Sequence, residues 1–351
     1  MFWTSSALKH LSSDWILHHL CQRVYAELLM SLGAAEPGEV VCLVGPSRVG
    51  KSSIIQRAGV TLVGTSGRTS DGTLPWLCLK ATNTSANADF SNKAFLQRAL
   101  DISEHPFFSL PTGSALLTPK DLLRMQKTHA DTALRALENT IKHLRIRYVV
   151  IDEAHHLRYA PGGHERSVAI LDYWKCVADD SKFVLCLVGG YPLLESLRSA
   201  SHMLGRSLVV DFPRYQASDE EDVLRFDKIL LFYSKHLSLP RGVTLRDWNK
   251  LLFTGSLGCI GHLRSWLKRA VLRAAIQQDA VLQLKHLEQT RRTDAELESL
   301  LSEIVAGDDY FAATAPSSSD KGTTPTTDPP AKEKRKKSSR KAVRHPVRGL
   351  R

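Results

Sequence analysis

Eight consecutive residues, Gly45-Pro46-Ser47-Arg48-Val49-Gly50-Lys51-Ser52, have the G-x-x-x-x-G-K-[ST] spacing of a phosphate-binding loop. Glycines at these positions let the backbone curl so that successive N–H groups face a phosphate. Lys51 then reaches the β- and γ-phosphates of a nucleoside triphosphate, and Ser52 ligates Mg²⁺. Ser53 joins the same nucleotide-binding set. About a hundred residues later, Tyr148-Val149-Val150-Ile151-Asp152-Glu153 is an apolar run ending in two carboxylates. A buried parallel strand delivers such acids at its C-terminal edge. Asp152 suits the Mg²⁺ shell. Glu153 suits a base that polarises attacking water, because phosphoryl transfer needs positioning more than covalent chemistry. A Glu153 that only caps a following helix is the rival reading.

These residues need elements to hold them. Val40–Val44 leads into the loop and a helix starts after it. Trp76–Lys80, the Asp152 run, Phe183–Val188 and Ser207–Phe212 read as further strands. Helical signals intervene at Asn92–Ile102 and from Thr118-Pro119-Lys120-Asp121 to about His143. Ahead of them, Trp15–Leu32 has helical periodicity, with Ser12 or Ser13 available as N-cap. Strands alternating with helices predict an α/β fold, a parallel sheet flanked by helices. After Tyr215 the texture becomes all-helical. Ser218-Asp219-Glu220-Glu221 reads as a capping box opening a helix to about His236, with helices expected near 246–253, 260–277, 283–291 and 294–305. The expected organisation is an N-terminal helical segment (1–36), an ATPase core (37–215), a helical lid (216–306) and a flexible linker with a basic tail (307–351).

The 351 residues carry a net charge of +11, and nine of those charges lie in Lys332–Arg351, where ten Lys/Arg face only Glu333. Pro316–Pro330 before it is rich in Ser, Thr and Pro and cannot bury enough apolar area to order itself. The basic arm fits nucleic-acid phosphates, with an acidic protein partner or a solubilising tail as alternatives. No apolar run reaches the ~20 residues that cross a membrane. The six cysteines are scattered without a C-x-x-C pair and read as small core residues in a reducing cytoplasm. His155 and His156 suggest a metal, but adjacent helical histidines face different directions and no third ligand is evident.

A phosphate-loop core followed by helices is the layout of AAA+ ATPases. Several segments resemble, more narrowly, the transposition-regulator ATPases of the TnsC/TniB type, with MuB more distant. They are Gly45–Ser52, Val149–Leu157, Leu187-Val188-Gly189-Gly190-Tyr191-Pro192-Leu193, Leu204-Gly205-Arg206, Gly255–Gly258 with Leu263–Leu267, and Ser302-Glu303-Ile304 before Gly307. The resemblance covers roughly residues 20–310. It implies a bacterial cytoplasmic ATPase that uses ATP and Mg²⁺ and assembles on double-stranded DNA as a ring or helical filament. It also implies partners: transposase subunits and a TniQ/TnsD-like target-selection protein. By the same resemblance Arg206 is the arginine finger, with Arg198 a rival on the same segment, and Arg264 a sensor-2 arginine contacting nucleotide. DNA contacts fall between the second and third strands, where Lys93, Thr118 and Lys120 lie. One departure stands out. The polar sensor residue after the fourth strand is replaced by Gly189-Gly190, so either the Tyr191 hydroxyl substitutes or hydrolysis is slow. The broader alternative is an AAA+ helicase-loader-like or remodelling ATPase acting on a protein partner.

Overall fold

Five apolar runs pair into one parallel sheet in the computed structural model, which describes residues 2–13, 16–64, 67–83, 89–110, 118–200 and 207–314. The strands are β1 (Val40–Val44), β2 (Trp76–Lys80), β3 (Tyr148–Asp152), β4 (Val184–Gly189) and β5 (Ser207–Asp211). Their order is β2-β3-β4-β1-β5. β1 therefore sits between β4 and β5, with Val44 level with both Gly189 and Asp211. Because every pairing is parallel, all five strands end at one edge. The loop after Val44, Glu153, Gly190 and Phe212 are thereby brought to that edge, where ligands bind in α/β sheets.

Side chains alternate across the sheet, and both faces are covered, which is why the strands read as unbroken apolar runs. Val41, Leu43, Val150, Cys186 and Val188 face one core cluster; Cys42, Val44, Val149, Ile151 and Leu187 face the other. Each fully buried Val, Leu or Ile among them contributes roughly 1.5–3 kcal/mol relative to exposure. The second cluster is closed by α4 (Asn92–Ile102), α6 (Ala130–His143), α7 (Gly163–Ser181) and α8 (Pro192–Ser199). The first is closed by α2 (His19–Ala34), α3 (Lys51–Val63) and the C-terminal helices. Those are α9 (Glu220–Ser234), α10 (Asn249–Ser256), α11 (Ile260–Ile276), α12 (Leu284–Thr290) and α13 (Asp294–Thr314). No strand follows β5 among the described residues, and none of their helices is long and apolar enough to cross a membrane. Of the six thiols, Cys21, Cys42, Cys186 and Cys259 are buried, Cys78 is half-buried and Cys176 is exposed.

Several local expectations need correction, among them the end of the last helix: α13 runs to Thr314 rather than about 305, so residues 307–314, expected to begin the flexible linker, are helical. The Thr118–His143 stretch is two helices, α5 (Pro119–Lys127) and α6, broken at Thr128 and His129. Both break residues are extended, and the Thr128 hydroxyl donates to Arg124 O at 2.8 Å, which ends the helix locally. The Trp15–Leu32 helix starts only at His19, capped by the His18 ring, which accepts from Cys21 N; Ser12 and Ser13 instead belong to a separate helix, α1 (Phe2–Ser13). Asp219 rather than Ser218 caps α9, accepting from Glu221 N at 2.9 Å. The basic tail lies outside the described residues.

Candidate active site

The phosphate loop is shaped by close packing. A Cβ on Gly45 would lie 2.3 Å from Phe212 O, so the loop hugs the end of β5 as only glycine allows. Gly50 turns with φ 118° and caps α3 without a side chain. Lys51 opens that helix and is buried, with Nζ donating to Gly45 O at 2.8 Å and Pro46 O at 2.7 Å. Burial pushes its pKa down, while Glu153, Asp152 and Glu303 oppose that shift. Behind it, the Ser52 hydroxyl donates to Asp152 Oδ2 at 2.8 Å. Asp152 Oδ1 accepts the Glu153 N–H at 2.9 Å.

Glu153 leaves β3 in the left-handed region (φ 56°, ψ 35°), a conformation that costs a non-glycine residue about 1–2 kcal/mol. The turn swings its carboxylate into a cavity of about 460 Å³ between the phosphate loop, Glu153–His156, Gly190 and Glu303. His155 Nδ1 accepts the Gly190 N–H at 3.2 Å and stands 3.4 Å from Glu153 Oε2. Desolvation, helped by His156, Lys51 and Arg158, lowers the His155 pKa to about 4. The imidazole is therefore neutral at pH 7, with the proton assigned to Nε2, and its contact with Glu153 is not an ion pair. The two histidines do share a side. They sit in the tight 3₁₀ turn Ala154–Tyr159, their rings are 4.4 Å apart, and Glu153 converges with them within 4.8 Å.

Ser47, Arg48, Gly50, Lys51, Ser52, Ser53 and Glu153 line this cavity together. Gly45 and Pro46 hold Lys51, Asp152 is reached through Ser52, and Val49 is buried in the core. Arg264 is elsewhere. Its guanidinium donates to the Leu11 and Ser12 carbonyls at the end of α1. The same helix, α11, touches the phosphate loop through other groups. Gly261 N donates to Arg48 O at 2.9 Å, and Arg48 Nη1 donates to Ser265 Oγ at 2.9 Å. Tyr191 is not among the lining residues; its hydroxyl donates to Asp211 Oδ1 at 3.4 Å, leaving the Gly190 N–H at that position. Arg206 lies outside the described residues, while Arg198 stacks 4.2 Å over the Tyr310 ring of its own chain. Lys93 is half-exposed in the first turn of α4, Thr118 caps α5 reciprocally with Asp121, and Lys120 is exposed beside it. Three lining residues, His155, His156 and Glu303, were given no part in nucleotide chemistry from the sequence, the histidines being weighed only as metal ligands. Their signal lay in the segments Val149–Leu157 and Ser302-Glu303-Ile304, the latter just before Gly307, whose missing Cβ lets α13 approach Tyr191.

Comparison with known proteins agrees with this geometry. The AAA domain family model matches residues 35–197. The fold is similar to the Walker-type ATPase PABY2304 of Pyrococcus abyssi, at 16% identity over 87% of this chain and 80% of that one, with TM-score 0.50. It is also similar to Aeropyrum pernix ORC1, solved in complex with DNA (16% identity, 80% and 68% covered, TM-score 0.54). Aeropyrum pernix ORC2 is similar to the same degree (15% identity, 86% and 79% covered, TM-score 0.51). No curated protein matches the sequence. Residues 35–197 match the AAA domain model, and the chain has the AAA P-loop NTPase fold of an ATPase, followed by a helical region.

Proposed function

We propose that this chain is an ATP-dependent DNA-binding regulator of transposition, of the TnsC/TniB type. In this reading it assembles on target duplex DNA as a ring or filament and connects a TniQ/TnsD-like target-selection protein to transposase subunits. Slow ATP hydrolysis then ends the assembly. What supports the reading is that four of the segments carrying the resemblance surround one cavity: Gly45–Ser52, Val149–Leu157, the Gly190 turn and Ser302-Glu303-Ile304.

The chemistry follows from the residues. Lys51 exchanges its bonds to Gly45 and Pro46 for phosphate oxygens, and the first amides of α3 face the same charge. Ser52 and Asp152 are the donor set for Mg²⁺, a hard cation that prefers such oxygens. When bound, it neutralises charge on the phosphate oxygens. Glu153 orients the attacking water, and neutral His155 holds the carboxylate's side of the cavity without neutralising it. The Gly190 N–H is given to His155 and the Tyr191 hydroxyl to Asp211, so neither reports on the terminal phosphate, which fits slow turnover. Arg206 is the trans-acting cation of the neighbouring subunit, where a bidentate guanidinium stabilises developing charge as lysine cannot.

Electron microscopy with duplex DNA and non-hydrolysable ATP tests the proposal. Ordered assemblies are expected for the wild type; they should be lost in Lys51→Ala and weakened in Arg206→Ala, whose own affinity for ATP stays close to normal. A chain that binds ATP yet stays monomeric on DNA would refute the role and favour a helicase-loader-like or remodelling ATPase that acts on a protein.

A further inference from the structure

Helix α13 brings an acid to the nucleotide cavity. Glu303 is half-buried, lines the cavity, and has no hydrogen-bond or ion-pair partner among the described residues. Its carboxylate lies over the bare Cα of Gly190, where a Cβ would come within 2.9 Å of Oε1. The helix is fixed there by specific contacts. Ile304 is buried, and Gly307 nests against Tyr191 so tightly that a Cβ would sit 2.0 Å from the ring. One step on, Asp308 accepts from Arg214 at 3.2 Å, and Phe311 packs on the same tyrosine. Glu303 thus adds negative charge where Glu153 and Asp152 already stand, beside the one lysine meant for phosphate.

We propose that Glu303 is an electrostatic gate: its carboxylate occupies part of the space and field that the terminal phosphates of ATP require, so nucleotide binding and the docking of α13 oppose each other. This deepens the ATP-site reading and rests on it. Two anions in one partly desolvated cavity repel more strongly than they would in water. Whatever holds α13 down therefore weakens ATP binding, and ATP weakens the docking by the same factor, because coupling between two equilibria is reciprocal.

Two substitutions test the gate in the full chain, read by titrating a fluorescent ATP analogue with Mg²⁺ and by competition with unlabelled ATP and ADP. Glu303→Gln keeps size and packing and is expected to tighten ATP binding by roughly fivefold or more, with a smaller gain for ADP. Gly190→Ala should displace the carboxylate without removing its charge and give a gain in the same direction. The double variant should gain less than the two added together, since both remove one interaction. Glu298→Gln, an exposed acid on the same helix, controls for net charge and should leave affinity unchanged. Unchanged or weaker binding in Glu303→Gln, or an equal gain in Glu298→Gln, overturns the gate while leaving the ATP site standing. A wild type that binds no nucleotide removes the site reading and the gate with it.

Discussion

Gly261→Ala is the sharpest probe of how α11 is joined to the phosphate loop. A Cβ there would lie 2.1 Å from Arg48 O and 2.9 Å from Arg48 Cβ. Carbon needs more than ~3 Å from a carbonyl oxygen, so helix and loop must separate by about 1 Å. That separation stretches the Gly261 N–H to Arg48 O bond, now 2.9 Å and worth about 1 kcal/mol. Overpacking adds ~1–3 kcal/mol, and the helix preference for alanine over glycine returns up to about 1 kcal/mol. The net expectation is a loss of about 1–3 kcal/mol in urea unfolding, with weaker nucleotide binding because Arg48 lines the cavity. Gly33→Ala supplies the control: it also sits in a helix, but a Cβ there meets nothing within 4 Å. It should be neutral or stabilising by up to ~1 kcal/mol. If Gly261→Ala proved as stable as Gly33→Ala and bound nucleotide normally, the loop and α11 would not be coupled as described.

Glu153→Gln should keep nucleotide affinity within about twofold and slow phosphate release by at least ~100-fold, the scale of a lost general base. Burial, reinforced by Asp308, raises the Asp211 carboxyl to about 7 against the pull of the Tyr191 hydroxyl. Unfolded chains lose that proton near pH 4 and the folded protein keeps it until about 7, so stability falls as pH rises through this window. Urea midpoints should show roughly 2 kcal/mol lost between pH 5 and 8 that Asp211→Asn does not lose, and parallel pH profiles for the two proteins would refute it. Deleting 332–351 should flatten the salt dependence of DNA affinity by several units of slope if the arm binds phosphates, and should abolish transposase capture if it recruits. No change in either assay would make the arm a solubilising tail.

The strands and the phosphate loop were legible because burial on both faces writes itself as apolar runs, and because phosphate recognition restricts residue type at fixed spacing. That the third strand ends in two acids, Asp152 and Glu153, was legible from the apolar run before them. Long-range docking was not. The segment around Glu303 was noted in the sequence, but its place in the cavity was not, because that depends on Gly190 and Gly307 having no Cβ. Tyr191 was ambiguous in sequence because its hydroxyl partner, Asp211, comes from another strand. Helix α1 went unread because its Ser-rich run resembles a cap, and it is held in place by the burial of Ala7 and Leu11 in a core built mainly by later residues.

The distribution of thiols has a practical consequence. Cys176 on α7 is the exposed one, whereas burial pushes Cys42 and Cys259 up to about 12 and Cys78 to about 11. An alkylating reagent at neutral pH should therefore modify Cys176 first, and each slower event becomes a clock for a particular opening. Cys259 caps α11 where it meets the phosphate loop, so its labelling times the separation of the C-terminal helices from the sheet. Cys42 and Cys186 lie inside adjacent central strands and react only when the sheet itself comes apart. Mass spectrometry of a labelling time course, with and without nucleotide, would read both motions from the native sequence without introducing a single probe.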